Sequence, residues 1–307
     1  MRRNKFTILI FSVIFFIIIL QNVQSQDKNE PKFHWPVIKG NLPDLRGLTS
    51  TFAETRYDHF HNGVDISSLN DPIYPVGRGK ILYSREKSDD PYKPQIGPGN
   101  QIFIDHGNGW WSGYYHLNNL AALREGSVGE KDIIGYTGNT GHSSGAHLHF
   151  FITKNYGKVY INPLHYLPAV TDVNPPIIGQ IQIITPNGKT LISHSRPQEI
   201  RLTKSYPFLI KIIDPGMERN TRRGIFRLEW QLNQNTKEVM NFNELLISEK
   251  GWILTSGNTF EETYYKDLYI LGDLPVVNGT NQLIVTAFDF AGLSTTVTYS
   301  INVVKEF

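Results

Sequence analysis

The chain has 307 residues and a formal net charge of +2, a length that predicts two domains at about 100–200 residues each. Hydrophobic residues make up 40 % of it, which is enough for a core and excludes a disordered chain. Cysteine is absent, which excludes disulfides, thiolate metal sites, iron–sulfur clusters and cysteine nucleophiles. Any metal site must therefore use His, Asp or Glu.

Residues 1–25 have the pattern of a secretory signal peptide. A basic start, Met1–Lys5, precedes an uncharged apolar stretch, Phe6–Leu20, and small residues lie just ahead of Gln26. The apolar stretch is short for a membrane span of about 20 residues, so cleavage is favoured over an uncleaved anchor. We expect an exported protein of the periplasm, the cell envelope or the medium, with no membrane span after cleavage.

The charge of the exported chain bears on its partners. Cleavage removes three positive charges and no negative ones, which takes the formal net charge from +2 to −1. Non-specific nucleic-acid binding depends on clustered Lys and Arg, and the sequence shows no such cluster. We therefore expect no nucleic-acid partner.

Two β-rich regions follow a polar lead-in over residues 26–32. In both regions short β-branched and aromatic runs alternate with Gly, Asn, Asp and Pro, a pattern typical of antiparallel sheets. The segment 174–176 separates a first domain over residues 33–170 from a second over 177–307. The predicted fold class is all-β, with a mainly antiparallel sheet domain followed by a β-sandwich. Residues 283–292 resemble the penultimate strand of bacterial immunoglobulin-like domains.

Two segments of the first region depart from the strand pattern. Residues 117–124 fit one short helical turn. Residues 84–100 are polar and contain three prolines, which predicts a long loop of the kind that shapes access to a site.

A histidine pair lies near the end of the first region. Seven of the ten histidines fall between His59 and His149, and His147-Leu148-His149 leads into an apolar run. Side chains alternate faces along a strand, so both histidines of the pair point to one face there. Two neighbouring imidazoles can share a metal ion. When a His-x-His pair occurs without other candidate ligands, however, it is more often solvent-exposed.

A second pair of candidate ligands, His61 and Asp65, is four residues apart. Imidazole nitrogen and carboxylate oxygen both suit Zn²⁺. We expect Gly63 to let the backbone bend between them, on a loop that enters a strand. With one histidine of the later pair they supply three ligands, which leaves a fourth position for water, as in catalytic zinc sites. The other histidine of that pair and His116 then remain as free imidazoles that can move a proton.

Three sequence blocks together carry a resemblance to a known family. They resemble the signature blocks of the lysostaphin/LytM-type zinc metallopeptidases in order and spacing, over roughly residues 33–168. The blocks are His61-Asn62-Gly63-Val64-Asp65, Tyr114-Tyr115-His116-Leu117, and Thr137-Gly138-Asn139-Thr140-Gly141 running into His147-Leu148-His149-Phe150.

The resemblance implies a site and an activity. It assigns one zinc ion to His61, Asp65 and His149, and it places His116 and His147 beside the metal as catalytic residues. The implied fold is a mostly antiparallel sheet with a groove over the metal. The implied substrates are the peptide cross-links of bacterial peptidoglycan.

The leading hypothesis is a secreted zinc endopeptidase that hydrolyses these cross-links by zinc-activated water. Two alternatives stay open: a non-catalytic, zinc-bearing binding or regulatory module of the cell envelope, and a zinc peptidase that acts on proteins. We expect the C-terminal region to position the enzyme or to bind an envelope protein.

Three residues near the blocks are interpreted as structural. His106 matches a common but non-ligating position, and His59 is interpreted as a packing residue or a neighbour of the ligands. Tyr114 is more typical of a core tyrosine than of a group that stabilises an oxyanion.

Overall fold

A computed structural model describes residues 30–38, 47–94, 97–169, 171–186, 188–215 and 223–306. The predicted signal peptide over residues 1–25 lies outside the described residues, as do residues 26–29 of the lead-in. Within the described ranges, no helix combines the length and the apolar character that a membrane crossing requires.

The described residues form mostly short strands. In chain order these are β1 (Leu48–Ser50), β2 (Val64–Ser67), β3 (Pro72–Ile73), β4 (Gly79–Arg85), β5 (Asn100–Asp105), β6 (Trp111–Leu117), β7 (Asn119–Leu120), β8 (Ser127–Val128), β9 (Gly135–Tyr136), β10 (His147–Lys154), β11 (Val159–Ile161), β12 (Ile177–Thr185), β13 (Gly188–Ile192), β14 (Gln198–Leu202), β15 (Phe208–Ile213), β16 (Arg227–Leu232), β17 (Glu238–Asn241), β18 (Glu244–Ser248), β19 (Gly251–Leu254), β20 (Tyr264–Tyr265), β21 (Leu268–Gly272), β22 (Gly279–Phe288) and β23 (Ser294–Lys305). The helical elements include a one-turn α-helix, α1 (Phe260–Thr263), and two 3-10 helices, Lys87–Asp89 and Pro163–His165.

The strands are arranged in four sheets. A ten-stranded sheet has the order β19-β18-β11-β10-β6-β5-β4-β8, with β2 paired to β10 and β1 to β2. Two five-stranded sheets have the orders β13-β12-β15-β21-β20 and β14-β23-β22-β16-β17. The fourth sheet is three-stranded, with the order β3-β9-β7. Among the described strands, pairing is antiparallel apart from β14 with β23, which confirms the predicted all-β, mainly antiparallel class.

β10 lies at the centre of the ten-stranded sheet. Six of its eight residues are buried, and both of its edges are paired, one to β6 and the other to β2 and then β11. A strand buried in this way needs a run of apolar side chains, which Leu148 and residues 150–152 supply. His149 and Thr153 are its buried polar residues, and a buried polar side chain costs free energy unless it is hydrogen-bonded.

The two five-stranded sheets pack face to face as a sandwich. Along β22 the inward positions Leu283, Val285 and Ala287 are fully buried between more exposed neighbours. Tyr299 and Ile301 of β23 are fully buried in the same cluster. This period of two is the pattern expected of a strand with one face on a core. Ile181 of β12 and Ile210 of β15, from the other five-stranded sheet, belong to the same cluster, which confirms the predicted β-sandwich.

The two β-rich regions share a sheet and a core. β18, from the second region, extends the ten-stranded sheet by pairing with β11. In the other direction, Phe52, Ala53 and Phe60 of the first region belong to the hydrophobic cluster of the sandwich. Residues 33–307 form one compact unit, and the division into domains over 33–170 and 177–307 stays a prediction.

One local prediction was wrong. Residues 117–124 contain the short strand β7 instead of a helical turn, because Asn119 and Leu120 pair with β9.

The segment 262–270 is divided among α1, β20 and β21. A capping box between Thr259 and Glu262 begins the helix, and this local hydrogen bonding outweighs the strand preference of the aromatic residues that follow.

Candidate active site

Three side chains converge where β2 and β10 begin. His61 Nε2 lies 3.0 Å from Asp65 Oδ1 and 2.9 Å from His149 Nδ1, and His149 Nδ1 lies 2.9 Å from the same Asp65 oxygen. Both imidazoles are buried, and the Asp65 side chain is 14 % exposed. The structure therefore brings together the three residues that the sequence predicts as metal ligands.

The strand register produces this convergence. Asp65 in β2 lies directly opposite His149 in β10, and side chains at opposed positions of an antiparallel pair are close neighbours. His61 lies on the loop that leads into β2, as predicted. Its backbone is tied to residues 53–54 by two hydrogen bonds, from Ala53 N to His61 O and from His61 N to Glu54 O.

Each histidine of the trio is oriented by a hydrogen bond from its other nitrogen. His61 Nδ1 donates to the Thr51 carbonyl oxygen at 2.7 Å, and His149 Nε2 donates to Asn62 Oδ1 at 3.0 Å. These bonds fix the tautomers, so that His61 Nε2 and His149 Nδ1 carry lone pairs toward the shared centre. Partners of this kind typically accompany metal-bound histidines.

The carboxylate is oriented by Arg56. Arg56 Nη2 donates to Asp65 Oδ2 at 2.9 Å and to Ser50 Oγ at 2.6 Å, which leaves Asp65 Oδ1 for the centre. Glu54 stabilises the segment that carries Ser50 and Thr51. Its carboxylate accepts hydrogen bonds from Ser50 Oγ and from the backbone of Thr51. Sequence reasoning missed Arg56 and Glu54, since no motif marks either of them.

The electrostatics suit a cation at the centre. Burial alone would raise the pKa of Asp65, but the adjoining His61 and His149 hold it well below its ordinary value. Burial lowers the pKa of His149 to about 4, against the pull of Asp65. At neutral pH the trio thus offers an ionised carboxylate and a neutral His149 imidazole, which are the forms that bind metals.

His116 and His147 lie beside the trio. Their ring centroids are 4.8 Å apart, and His147 Nε2 is 3.7 Å from Asp65 Oδ1. His116 Nδ1 donates to the Thr140 carbonyl and His147 Nδ1 to the Gly145 carbonyl, both at 2.8 Å. The Nε2 atom of each ring is therefore the one left to accept a proton.

The backbone of His116 is strained. Its φ is +62°, in the left-handed region that costs a non-glycine residue about 1–3 kcal/mol. The conformation is held by its amide, which donates to the Pro98 carbonyl at 2.9 Å.

Burial lowers the pKa of His116 in spite of the Thr140 hydrogen bond, so the ring is neutral at neutral pH.

The five side chains lie in an open groove of about 870 Å³. The groove is also lined by residues 56–59, by Gly97 and Pro98, and by residues 142–144. Residues 97–98 belong to the segment predicted as a loop shaping access, although Ser84 and Arg85 at its start continue β4 and Asn100 begins β5.

Tyr115 is a third site residue whose role sequence reasoning missed. Its ring stacks on His149, with centroids 5.4 Å apart and planes at 14°, and it lines the groove. Tyr114 points to the opposite face, fully buried, with its hydroxyl accepting from Val76 N. Because side chains alternate faces along a strand, the sequence could have placed Tyr114 and Tyr115 on opposite faces of β6. The prediction that Tyr114 is a core residue is confirmed.

The remaining predictions on histidines have mixed outcomes. His106 is held between the Arg78 carbonyl and Ser112 Oγ and packs on Phe33, so the predicted structural position is confirmed. His59 does not pack or support the ligands, because its side chain is 63 % exposed and pairs with Asp58.

Gly63 is required for a different reason from the one predicted. A Cβ there would lie 2.4 Å from the Phe150 carbonyl oxygen and 3.0 Å from His149 Nε2. Close approach of β10 therefore excludes a side chain, whereas the predicted bend needs no special φ, since Gly63 is not among the positive-φ glycines.

We expect Gly63→Ala to displace His149 and to destabilise the fold by about 1–3 kcal/mol, the usual cost of overpacking. The zinc content and the unfolding temperature should both fall. Gly145→Ala is the matched control, because a Cβ at Gly145 meets nothing within 4 Å. A Gly63→Ala protein with unchanged zinc content would contradict the predicted clash.

The donor set fits zinc. Bonds of about 2.0–2.2 Å to nitrogen and oxygen in a tetrahedron put ligand atoms roughly 3.3 Å apart, close to the 2.9–3.0 Å of the trio. His61, Asp65 and His149 form one of the groups whose ligand atoms are near enough to hold an ion.

Comparison with known proteins agrees with these features. Residues 59–163 match the model of Peptidase family M23, and a second family model covers residues 175–304. Peptidoglycan DD-endopeptidase ShyA of Vibrio cholerae is 34 % identical over 91 residues, or 29 % of this chain and 19 % of that protein. The chain thus spans about a fifth of the length of this relative.

Two further relatives cover more of their own length. Lipoprotein NlpD of Yersinia enterocolitica is 32 % identical over 101 residues, or 33 % of this chain and 94 % of that protein. Among solved structures, the catalytic domain of lysostaphin from Staphylococcus simulans is 25 % identical, with a TM-score of 0.33 over 38 % of this chain and 87 % of that one. The family match over residues 59–163 and the coverage of NlpD show that the chain belongs to peptidase family M23.

Proposed function

We propose that this chain is an exported, zinc-dependent endopeptidase that hydrolyses peptide cross-links of bacterial peptidoglycan. The observation that carries the proposal is the trio of His61, Asp65 and His149, whose ligand atoms lie 2.9–3.0 Å apart with two further imidazoles at its side. A non-catalytic module needs no such pair of oriented imidazoles beside its metal ligands.

The residues divide into two roles. His61, Asp65 and His149 would hold the zinc ion, which when bound supplies Lewis-acid polarisation and a water with a pKa of about 7. His116 and His147 present Nε2 atoms that can take a proton from the attacking water and return it to the leaving amine. Their carbonyl partners keep both rings in the tautomer that this transfer needs.

The groove and the relatives support a peptide of the cell wall as substrate. The groove has a volume of about 870 Å³ and is lined by residues 56–59 and 142–144 among others, which leaves room for a peptide. ShyA carries the name of a peptidoglycan DD-endopeptidase and NlpD that of a lipoprotein. Export through residues 1–25 would bring this chain to the same substrate.

The test separates metal binding from proton transfer. In His116→Ala and His147→Ala, we expect zinc content to stay at the wild-type level while release of cleaved peptides from peptidoglycan falls about 10²–10⁴-fold, the range of general acid–base catalysis. Metal is measured by elemental analysis, and products by mass spectrometry.

The control variant is His194→Ala. This exposed histidine lies in the second region and contacts the ring of Tyr299, so its loss should change neither zinc content nor rate. Hydrolysis by both His116→Ala and His147→Ala within a few-fold of wild type would overturn the proposed roles. A zinc-loaded wild type that cleaves no peptidoglycan would overturn the proposed activity.

A further inference from the structure

A second cluster of acidic side chains lies away from the groove, at the junction of the two β-rich regions. Asp172, Asp214 and Asp289 each place one carboxylate oxygen within 4.8 Å of the other two. Asp214 and Asp289 are 2 % and 1 % exposed, and the Asp172 side chain is 5 % exposed. Three carboxylates this close and this deeply buried repel one another unless a cation neutralises them.

Arg223 lies beside this cluster. Its Nη1 is 3.7 Å from Asp172 Oδ2, and its backbone pairs with that of Asp214. The guanidinium is therefore within ion-pair distance of the Asp172 carboxylate.

Asp289 supplies an independent sign of a missing ligand. Its Oδ1 accepts hydrogen bonds from the amides of Ala291 and Leu293 at 2.9 and 2.8 Å. Its Oδ2 is buried and has no hydrogen-bond partner among the described residues. A buried carboxylate oxygen without a partner costs free energy, which coordination of a cation would recover. Burial raises the pKa of Asp289, and Asp172 adds to the rise against the backbone amides, as expected of an acidic group short of positive charge.

We propose that Asp172, Asp214 and Asp289 form a calcium site that ties the segment between the two regions to both sheets of the sandwich. The donors are all oxygens, which suits a hard cation such as Ca²⁺ and disfavours zinc. Ca²⁺ accepts irregular geometry and opposed oxygens up to about 5 Å apart, so it accommodates the separations found here more readily than Mg²⁺.

The position of the ligands gives the ion a structural role. Asp214 follows β15, which lies in one five-stranded sheet, and Asp289 follows β22 in the other. Asp172 lies on the chain just before β12, on the segment that connects the two regions. The bound ion therefore joins three separate stretches of chain, and its removal should loosen the junction.

Calcium binding is tested on residues 26–307, which contain the whole compact unit, after passage through a chelating resin. Isothermal titration with Ca²⁺ should show one site per chain. A hundredfold excess over the dissociation constant should raise the unfolding temperature by roughly 5–10 °C. The same titration of His149→Ala should give the same affinity, which separates this site from the zinc ligands.

Asp289→Asn tests the assignment at its most buried ligand. Asparagine keeps the oxygen that accepts from Ala291 and Leu293 but removes the charge, so the fold should be retained while Ca²⁺ affinity falls at least tenfold. Without calcium this variant should unfold at or above the wild-type temperature, because one repulsive charge is gone. Asp172→Asn should also weaken binding, and the exposed Asp273→Asn should not.

Three results would overturn the proposal. The first is a wild type that neither binds Ca²⁺ nor gains stability from it. The second is equal affinity in wild type and Asp289→Asn. The third is Mg²⁺ binding at least as tight as Ca²⁺ binding, which would contradict the choice of ion.

Discussion

Replacing His149 by alanine should remove zinc and hydrolytic activity together. His149 Nδ1 lies 2.9 Å from both His61 Nε2 and Asp65 Oδ1, so its loss leaves two ligands. Loss of a residue that merely orients a ligand typically lowers metal affinity about 10–100-fold, and we expect loss of the ligand to lower zinc affinity at least ~100-fold. Zinc competition with a chromophoric chelator, alongside a peptidoglycan assay, measures both effects.

Asn62→Ala is the graded comparison for His149→Ala. Asn62 Oδ1 accepts a hydrogen bond from Nε2 of the proposed ligand His149, so loss of the Asn62 side chain should weaken zinc binding about 10–100-fold without abolishing it. We expect zinc affinity to be highest in the wild type, intermediate in Asn62→Ala and lowest in His149→Ala. Wild-type affinity in His149→Ala would show that this residue does not bind the ion.

Removing the second region should prevent stable zinc binding by the first. A fragment of residues 33–173 loses β18, which pairs with β11, and exposes Phe52 and Phe60, which are buried in the core of the sandwich. Uncovering each large apolar side chain costs about 1.5–3 kcal/mol, a large share of the 5–15 kcal/mol by which domains are stable.

The loop that precedes His61 also loses specific hydrogen bonds in that fragment. Gly224 N donates to Glu54 Oε1 at 2.8 Å, and Tyr264 Oη donates to the Ala53 carbonyl at 3.0 Å. Trp252 packs against Tyr160, with centroids 4.4 Å apart, and Tyr160 in turn is hydrogen-bonded to Asn62. The second region thus supports the loop before His61 and the partner of His149.

Circular dichroism and zinc titration of the fragment measure this dependence. We expect a fragment that is unfolded or binds zinc far more weakly than the full chain. Glu54→Gln in the full chain is the milder test, since it weakens the hydrogen bonds of one carboxylate without removing packing, and zinc affinity should fall while the sandwich stays folded. A folded fragment with wild-type zinc affinity would show that the first region folds independently.

The sequence predicts the convergence of His61, Asp65 and His149 because short-range rules are sufficient there. A strand places His147 and His149 on one face, and the spacing of His61 and Asp65 around a strand entry limits where their side chains can go. The class of fold follows from the same alternation, which recurs along β22 and β23.

What the sequence does not predict depends on contacts distant in the chain. Glu54 and Gly224 are 170 residues apart, and no local pattern marks their hydrogen bond. The pairing of β18 with β11 is set by sheet register, which tertiary packing decides. The need for glycine at position 63 arises from the approach of β10, so the local prediction of a bend assigned it the wrong cause.

The most direct measurement determines zinc content and peptidoglycan hydrolysis in one preparation of residues 26–307. We predict about one zinc per chain, together with new amino termini from cleaved cross-link peptides, and loss of both on treatment with a zinc chelator. A preparation that carries zinc yet releases no peptide from peptidoglycans of different cross-link chemistry would contradict the proposed activity.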